Sequence, residues 1–310
     1  MRVSFGLPTH RLDVPELVTA GAIATLSAAA EEAGFDAVFV TEHPIPGDEW
    51  LASGGHHALD PFVALSFAAA ATSRVRLQTN LVVAAYRNPF LVAKSAASLD
   101  HLSGGRLILG IGSGYLRPEF DALGVDFTER NELTDEAIGA MRAAWTGQSV
   151  KLEGRHWKAT GNTMLPVPVQ RGGPQIWIGG NSATAMRRAV ELADGWTPML
   201  APGRLSARVH TRPIGSVDDL ASRIAEAHAH AAAVGRLAPL EIAFNPAGVM
   251  GGGTAADAGR RFVDHAAELA AAGVTHLNGG VPGASLREIL EGIEWFGGHV
   301  LPSIGALGGP

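Results

Sequence analysis

The residues of this chain that could do chemistry stand just after short aliphatic runs. His43 follows Glu42 at the end of Ala37–Thr41; an imidazole exchanges protons near neutrality, and Glu42 could orient it. Standing alone, such a histidine would more readily be a hydrogen-bonded structural residue. Glycine-rich neighbours shift the balance toward chemistry. Gly110-Ile111-Gly112-Ser113-Gly114 would let the main chain approach a flat ring or a phosphate closely. It is not the dinucleotide fingerprint, because Tyr115 occupies the place of the last glycine. Gly179-Gly180-Asn181-Ser182 leads into a helix bearing Arg187 and Arg188, and helix N-terminal amides with arginine charge suit a phosphate. The plainer alternative makes Ser182 a simple N-cap and leaves the arginines solvated.

Other chemistries fit less well. Metal hydrolases want His-x-His on one strand with further ligands later, whereas His10 and His43 are single and His56-His57 are adjacent, so no metal is expected. A glycosidase needs two flanking carboxyls, and only Glu42 and the more distant Glu119 are candidates. Cysteine is absent, which removes disulfides, thiolate sites and a Cys nucleophile. The formal charge of −6 and the pI near 6.0 offer no basic surface for nucleic acid or anionic lipid. No stretch reads as a membrane span or a secretory signal, so a cytoplasmic protein acting on a small-molecule substrate is expected.

These residues need a scaffold that gathers strand ends, and the rest of the sequence supplies one. Strands are expected at Val3–Leu7, Ala37–Thr41, Val75–Val83, Arg106–Ile111, Gln175–Ile178, Trp196–Leu200, Leu240–Phe244 and Val274–Leu277. Helices are expected between them, including Pro15–Ala33 with Asp13 as N-cap, Pro61–Ala71, Pro89–Leu102, Glu132–Trp145, Ser182–Ala193, Ser216–Val234, Ala255–Ala272 and Ser285–Phe296. Strand-then-helix repetition forces parallel strands, and eight such units close into an α/β fold, the (β/α)8 TIM barrel, with its site at the strands' C-terminal ends. An open doubly wound sheet is the alternative. Ser113–Pro174 is too long for one connection and reads as an insertion after strand four, a helix then an irregular excursion (Trp157–Gly173) over the mouth. No linker divides the chain, so 1–301 is expected to form one domain, with 302–310 a loose tail.

The motifs together resemble the bacterial luciferase-like superfamily, and within it the coenzyme F420-dependent oxidoreductases. The resemblance rests on Ala33–His43, Arg74–Asn80, Asn88-Pro89 with Ala93-Lys94, Leu99–Arg106, Gly110–Gly114, and Ile176–Ser182 down to Asp194-Gly195-Trp196. It implies a deazaflavin or flavin ring over the strand ends, with Glu42 and His43 beside the reacting carbon. It implies a non-prolyl cis peptide near Asn80-Leu81 against the ring. Gly112, Ser113 and Gly114 would line the cofactor's side chain, and Gly179, Gly180, Asn181 and Ser182 would hold its phosphate, with Arg187 or Arg188 nearby. Substrate-facing groups would be His10, Trp50, Tyr86 and Asn245, under a mobile lid in Pro44–Asp60.

Some relatives carry Glu where Tyr115 stands, and this chain has no Lys after Lys158, which argues against a phosphorylated sugar. Three activities follow from the resemblance: F420-dependent hydride transfer to or from a small organic compound, FMN-dependent monooxygenation fed by a separate reductase, or cofactor binding without turnover. The Ala-rich helices Pro61–Ala71 and Lys94–Leu102 could pack against a twin subunit, so a homodimer is expected.

Overall fold

A computed structural model describes residues 1–246 and 255–307. The chain runs β1 (Arg2–Gly6), α1 (Ala20–Ala33), β2 (Ala37–Val40), α2 (Asp48–Ala52), α3 (Pro61–Ala71), β3 (Arg76–Val83), α4 (Pro89–Ser103) and β4 (Leu107–Gly112). Next come α5 (Arg117–Ala122), α6 (Arg130–Trp145), β5 (Val150–Gly154), β6 (Trp157–Asn162), β7 (Gln175–Gly179), α7 (Ala183–Leu192), β8 (Gly195–Thr197) and α8 (Gly203–Arg208). It ends with α9 (Val217–Ala233), β9 (Glu241–Phe244), α10 (Ala255–Ala271), β10 (His276–Gly279), α11 (Leu286–His299) and α12 (Leu301–Gly305). Eight parallel strands close in the order β1-β10-β9-β8-β7-β4-β3-β2, while β5 and β6 form a separate antiparallel hairpin. The fold is a (β/α)8 barrel with an insertion between β4 and β7.

Local chemistry explains most element boundaries. Asp60 and Asn88 cap α3 and α4 ahead of Pro61 and Pro89, whose missing N–H costs nothing in a first turn. Gly34 and Gly104 end α1 and α4 in the left-handed conformation (φ +93° and +72°), as C′ glycines do. Ser216 and Asp219 form the reciprocal capping box that their spacing suggests. The first helix starts later than Pro15: Pro15–Val18 is a 3-10 turn, Thr19 caps α1, and Asp13 instead pairs with Arg11.

Two expectations need correction. Trp157–Gly173 does not arch irregularly over the mouth. It begins as strand β6, whose Trp157 meets Phe90 of α4 edge-on at 5.0 Å. The chain then descends along α4, because the buried Asp100 carboxylate accepts from the Val169 and Gln170 amides at 2.8 and 3.1 Å. That pairing draws the segment to the base of β4, and the antiparallel hairpin above it satisfies backbone groups an irregular loop would leave bare. Nor is the end of the chain loose from Pro302: α12 continues through Gly305 and buries Ile304 in the core. Residues 308–310 lie outside those described.

At the base of the barrel, Arg76 donates to Asp36, to Gln175 Oε1 at 3.2 Å and to His276 Nε2 at 3.1 Å. Arg2 Nη1 lies 3.2 Å from the same His276 nitrogen, and the Trp177 ring meets His276 at 4.8 Å. These charged groups close the base of the barrel, opposite the strands' C-terminal ends.

Candidate active site

At the C-terminal ends of the strands lies a cavity of about 360 Å³, within the range of small-molecule and cofactor sites. Its walls come from Thr41-Glu42-His43 after β2, Asn80-Leu81 in β3, Gly112 at the end of β4 with Gly114-Tyr115-Leu116 after it, Gly180 after β7, Pro198-Met199 after β8, Asn245 after β9 and Asn278 in β10. The Asn80–Leu81 peptide is cis. No metal-binding group of His and carboxylate residues occurs among the described residues.

His43 is held from several sides. Its ring packs at 4.4 Å, tilted by 40°, against Trp50 of α2 and meets His56 edge-on at 4.9 Å. Its Nδ1 lies 3.4 Å from Glu119 Oε1, a long hydrogen bond. Because a carboxylate only accepts, that contact puts the proton on Nδ1 and leaves the Nε2 lone pair free. Glu119 comes from α5, is 1% exposed, and takes a 2.7 Å hydrogen bond from the Tyr86 hydroxyl on its other oxygen. The carboxylate is therefore fixed at both ends before it meets the imidazole. Burial and Glu119 push the Tyr86 phenol well above its ordinary range. Tyr115 is pushed up to about 12 by burial, then by Glu119, so it stays a neutral phenol beside His43.

Glu42 does not orient His43. Its Oε2 accepts from the Val83 amide at 2.6 Å, and its other oxygen pairs with Arg87, which also reaches Asp60 at 2.8 Å. Burial pushes the Glu42 carboxyl up while Arg87 and the Val83 amide pull it down. Consecutive residues at a strand end point in different directions, so His43 faces the mouth while Glu42 turns to the root of the loop after β3. Tyr86 is likewise less a substrate contact than a support, since its hydroxyl is committed to Glu119.

The glycines at the rim serve the floor. A Cβ on Gly179 would lie 2.0 Å from Leu81 Cδ1, and one on Gly112 would lie 3.3 Å from it. Their bareness lets the Leu81 side chain lie across the barrel axis. Gly114 makes room for Phe120 and Val83 rather than for a ligand, and Ser113 is half-buried beside it. Gly180 differs. It sits at φ +108°, and a Cβ there would meet only Ala185 Cβ at 3.4 Å, so its surface toward the mouth stays open.

Beyond Gly180, the proposed phosphate cradle divides its labour. Asn181 is fully buried, and its amide bonds both Met199 backbone groups and the Arg212 carbonyl, which ties down the loop after β8. Ser182 caps α7 by accepting from Ala185 at 3.1 Å. The Ala183 and Thr184 amides lie in the first turn, where a helix leaves N–H groups without partners of its own, and both residues are exposed. Arg188 turns into the protein against Asp135 and the Asn131 carbonyl, whereas Arg187 is exposed. A phosphate would thus be met by main chain at the end of α7, while Arg188 serves packing.

His10 is exposed and touches His56 edge-on at 5.4 Å, at the outer rim. Asn245 is exposed within the cavity lining. Trp50 is latched from outside, because Arg208 of α8 donates to the Trp50 carbonyl at 3.2 Å and lies over its ring at 5.7 Å. Glu119, His56 and Met199 complete the site; in the sequence Glu119 stands only as a distant second carboxyl for glycosidase chemistry, and Met199 is not singled out. A Glu four residues past Tyr115, directly after Pro118 in the first turn of a short helix, was the available signal.

Residues 1–279 match the family model described as luciferase-like monooxygenase. Over 185 residues the chain is 36% identical to an F420-dependent glucose-6-phosphate dehydrogenase of Beutenbergia cavernae, covering 56% of this chain and 51% of that one. Over 240 residues it is 31% identical to the 4-hydroxyprotoasukamycin monooxygenase of Streptomyces nodosus subsp. asukaensis, covering 76% and 61%. The chain thus spans about half to two thirds of the length of the curated relatives it matches. The crystal structure of the monooxygenase RslO1 from Streptomyces bottropensis superposes with a TM-score of 0.74 at 24% identity, over 97% of this chain and 99% of the other, which shows a shared fold.

Proposed function

The chain belongs to the luciferase-like monooxygenase family, and from that premise we propose that it is an F420-dependent oxidoreductase. It would transfer a hydride between the deazaflavin's C5 and a small organic substrate. The observation that carries this reading is His43 at the mouth, its Nδ1 held by Glu119, in the same cavity that the cis Asn80–Leu81 peptide lines.

The residues fit such a cofactor. The open face of Gly180 and the first-turn amides of α7 suit an anionic tail. Leu81, seated by Gly112 and Gly179, offers a flat apolar floor to a ring. When bound, the deazaflavin supplies the two-electron chemistry. His43 takes or gives the substrate's proton at Nε2, Glu119 and Tyr86 hold its ring, and Trp50 with Tyr115 keeps water away. Proton transfer by a group so placed contributes roughly 10² to 10⁴ in rate.

A second reading, an FMN-dependent monooxygenase served by a separate reductase, is favoured by the family's description and by the monooxygenase relative. Fluorescence titration with F420 and FMN side by side decides between them. Tight binding of F420 alone supports the deazaflavin reading, and tight binding of FMN alone rejects it. A chain that binds F420 yet turns over no substrate would be a binding protein only.

We also propose a homodimer. On the outer face of α3, Val63 and Phe67 are 59% and 46% exposed, one helical turn apart, with Leu91 of α4 also exposed. No helix among the described residues is long and apolar enough to cross a membrane, and a cytoplasmic location is part of this proposal.

A further inference from the structure

The β5–β6 hairpin, inserted between two barrel strands, frames a second cavity on the outer wall. Packed beside α4 and the end of α6, it leaves a space of about 390 Å³, comparable to the cavity at the mouth and within the range of small-molecule sites. Phe90 of α4, Ala144 of α6, Val150 of β5 and Ala159 of β6 line it, with Met164 and Leu165 beyond the hairpin. Val150 and Ala159 are buried, while Leu165 is 64% exposed. Trp157 meets Phe90 edge-on at 5.0 Å and braces that wall.

The polar part of the lining is cationic. It consists of Lys94, Lys158, Asn162 and Thr163, all exposed, and no carboxylate lines the cavity among the described residues. Lysine is scarce elsewhere: of the chain's 24 Lys and Arg only three are lysines, and the third, Lys151, stands on β5 of the same hairpin. In a chain of formal charge −6, whose mouth is lined by Glu42 and Glu119, this wall has the opposite sign.

Both ammoniums keep charge to offer. Lys94 Nζ donates to the Leu165 carbonyl, a neutral acceptor that positions the ammonium without cancelling it. Lys158 pairs with Glu153 at 2.8 Å, but the two side chains are 61% and 65% exposed, and a pair so wet is weak and readily exchanged. An ammonium is a compact point charge that meets a carboxylate oxygen singly. Apolar walls beside it gain from covering hydrocarbon, which an inorganic anion would not supply.

We infer that this outer cavity binds a monocarboxylate with an apolar body, at a site separate from the mouth. The carboxylate lies against Lys94 and Lys158, and the body against Phe90, Val150 and Met164. The inference stands apart from the deazaflavin reading, whose failure would leave it untouched.

Calorimetry on the full chain at neutral pH with 4-butylbenzoate, 4-butylbenzylammonium and acetate tests it. One 4-butylbenzoate should bind per chain, at least tenfold more tightly than the ammonium of the same body and than acetate, which has the head alone. In the double variant Lys94→Gln, Lys158→Gln the benzoate should weaken about tenfold, and its advantage over the ammonium should close. Lys158→Glu keeps the Lys94 bond to Leu165 and should by itself weaken the benzoate several-fold, so the test holds even if the double variant fails to fold. The inference is overturned by the absence of saturable benzoate binding, or by an ammonium that binds as tightly. It is also overturned by a benzoate affinity unchanged in the lysine variants, which would put the ligand elsewhere.

Discussion

At the scale of single residues, His43 is distinguished less by its own position than by what occupies its other nitrogen. With Nδ1 facing Glu119, Nε2 alone serves the mouth, so removing His43 and removing its support should differ. His43→Ala is expected to lower kcat by about 10² to 10⁴ while leaving the F420 Kd within about threefold, as steady-state kinetics and fluorescence titration would measure. Glu119→Gln should cost less, about tenfold, with the histidine's 15N spectrum losing its single Nδ1–H tautomer. An unchanged tautomer in that variant would show that Glu119 does not orient the ring. His43 was legible in the sequence because it ends a strand. Its partner was not, because 76 residues separate Glu119 from it and only the short α5 turn brings them together. Glu42 misled for the same reason: adjacency suggested contact with His43, whereas its partners lie 41 and 45 residues away.

Between elements, the rim glycines act through Leu81. Gly179→Ala would drive a methyl into Leu81 Cδ1, so the floor must shift toward the cofactor. A weaker F420 Kd, by about tenfold or more, is the expected result. Leu81→Ala in the same chain should recover part of that loss, a coupling that a double-mutant cycle reads directly. Another junction is Glu31 of α1, whose carboxylate accepts from the Ser73, Arg74 and Val75 amides ahead of β3. Those amides hold it at about 2, below its ordinary 4.5, despite the opposing effect of burial. A depressed carboxyl stabilises fully above its unfolded pKa, so this contribution should fade as pH falls from about 4.5 toward 2. Glu31→Gln should cost about 1–3 kcal/mol at neutral pH in urea unfolding, and lose little further between pH 4.5 and 3. Elements governed by local signals, such as α3 after Asp60-Pro61 or α9 after its capping box, could be read from the chain alone. The course of the hairpin could not, because Asp100, which draws Val169 and Gln170 down the barrel wall, lies 69 residues earlier.

For the molecule as a whole, chemistry at the mouth is balanced by a charged seal at the base. His276 is buried between Arg76 and Arg2 and is lowered to about 3, chiefly by burial and then by the two guanidiniums. The unfolded chain would take up that proton near pH 6.5, so stability is complete above 6.5 and declines as pH falls toward 3. His276→Gln should flatten that decline in pH-dependent urea unfolding, and an equally steep decline in the variant would locate the acid sensitivity elsewhere. Assembly belongs to this scale too: sedimentation velocity should find the proposed dimer in the parent chain and a monomer in Phe67→Glu on the bare face of α3, and a monomeric parent would reject that proposal. The barrel itself was legible from strand-helix alternation, and its polarity followed, since every strand delivers its C-terminal residue to one mouth. The most direct measurement is the crystal structure of the protein grown with F420. The ring should lie on the Asn80–Leu81 peptide with its reacting carbon toward His43 Nε2, and its phosphate on the first turn of α7. A ring outside the mouth, or a phosphate away from Gly180 and α7, would contradict the account.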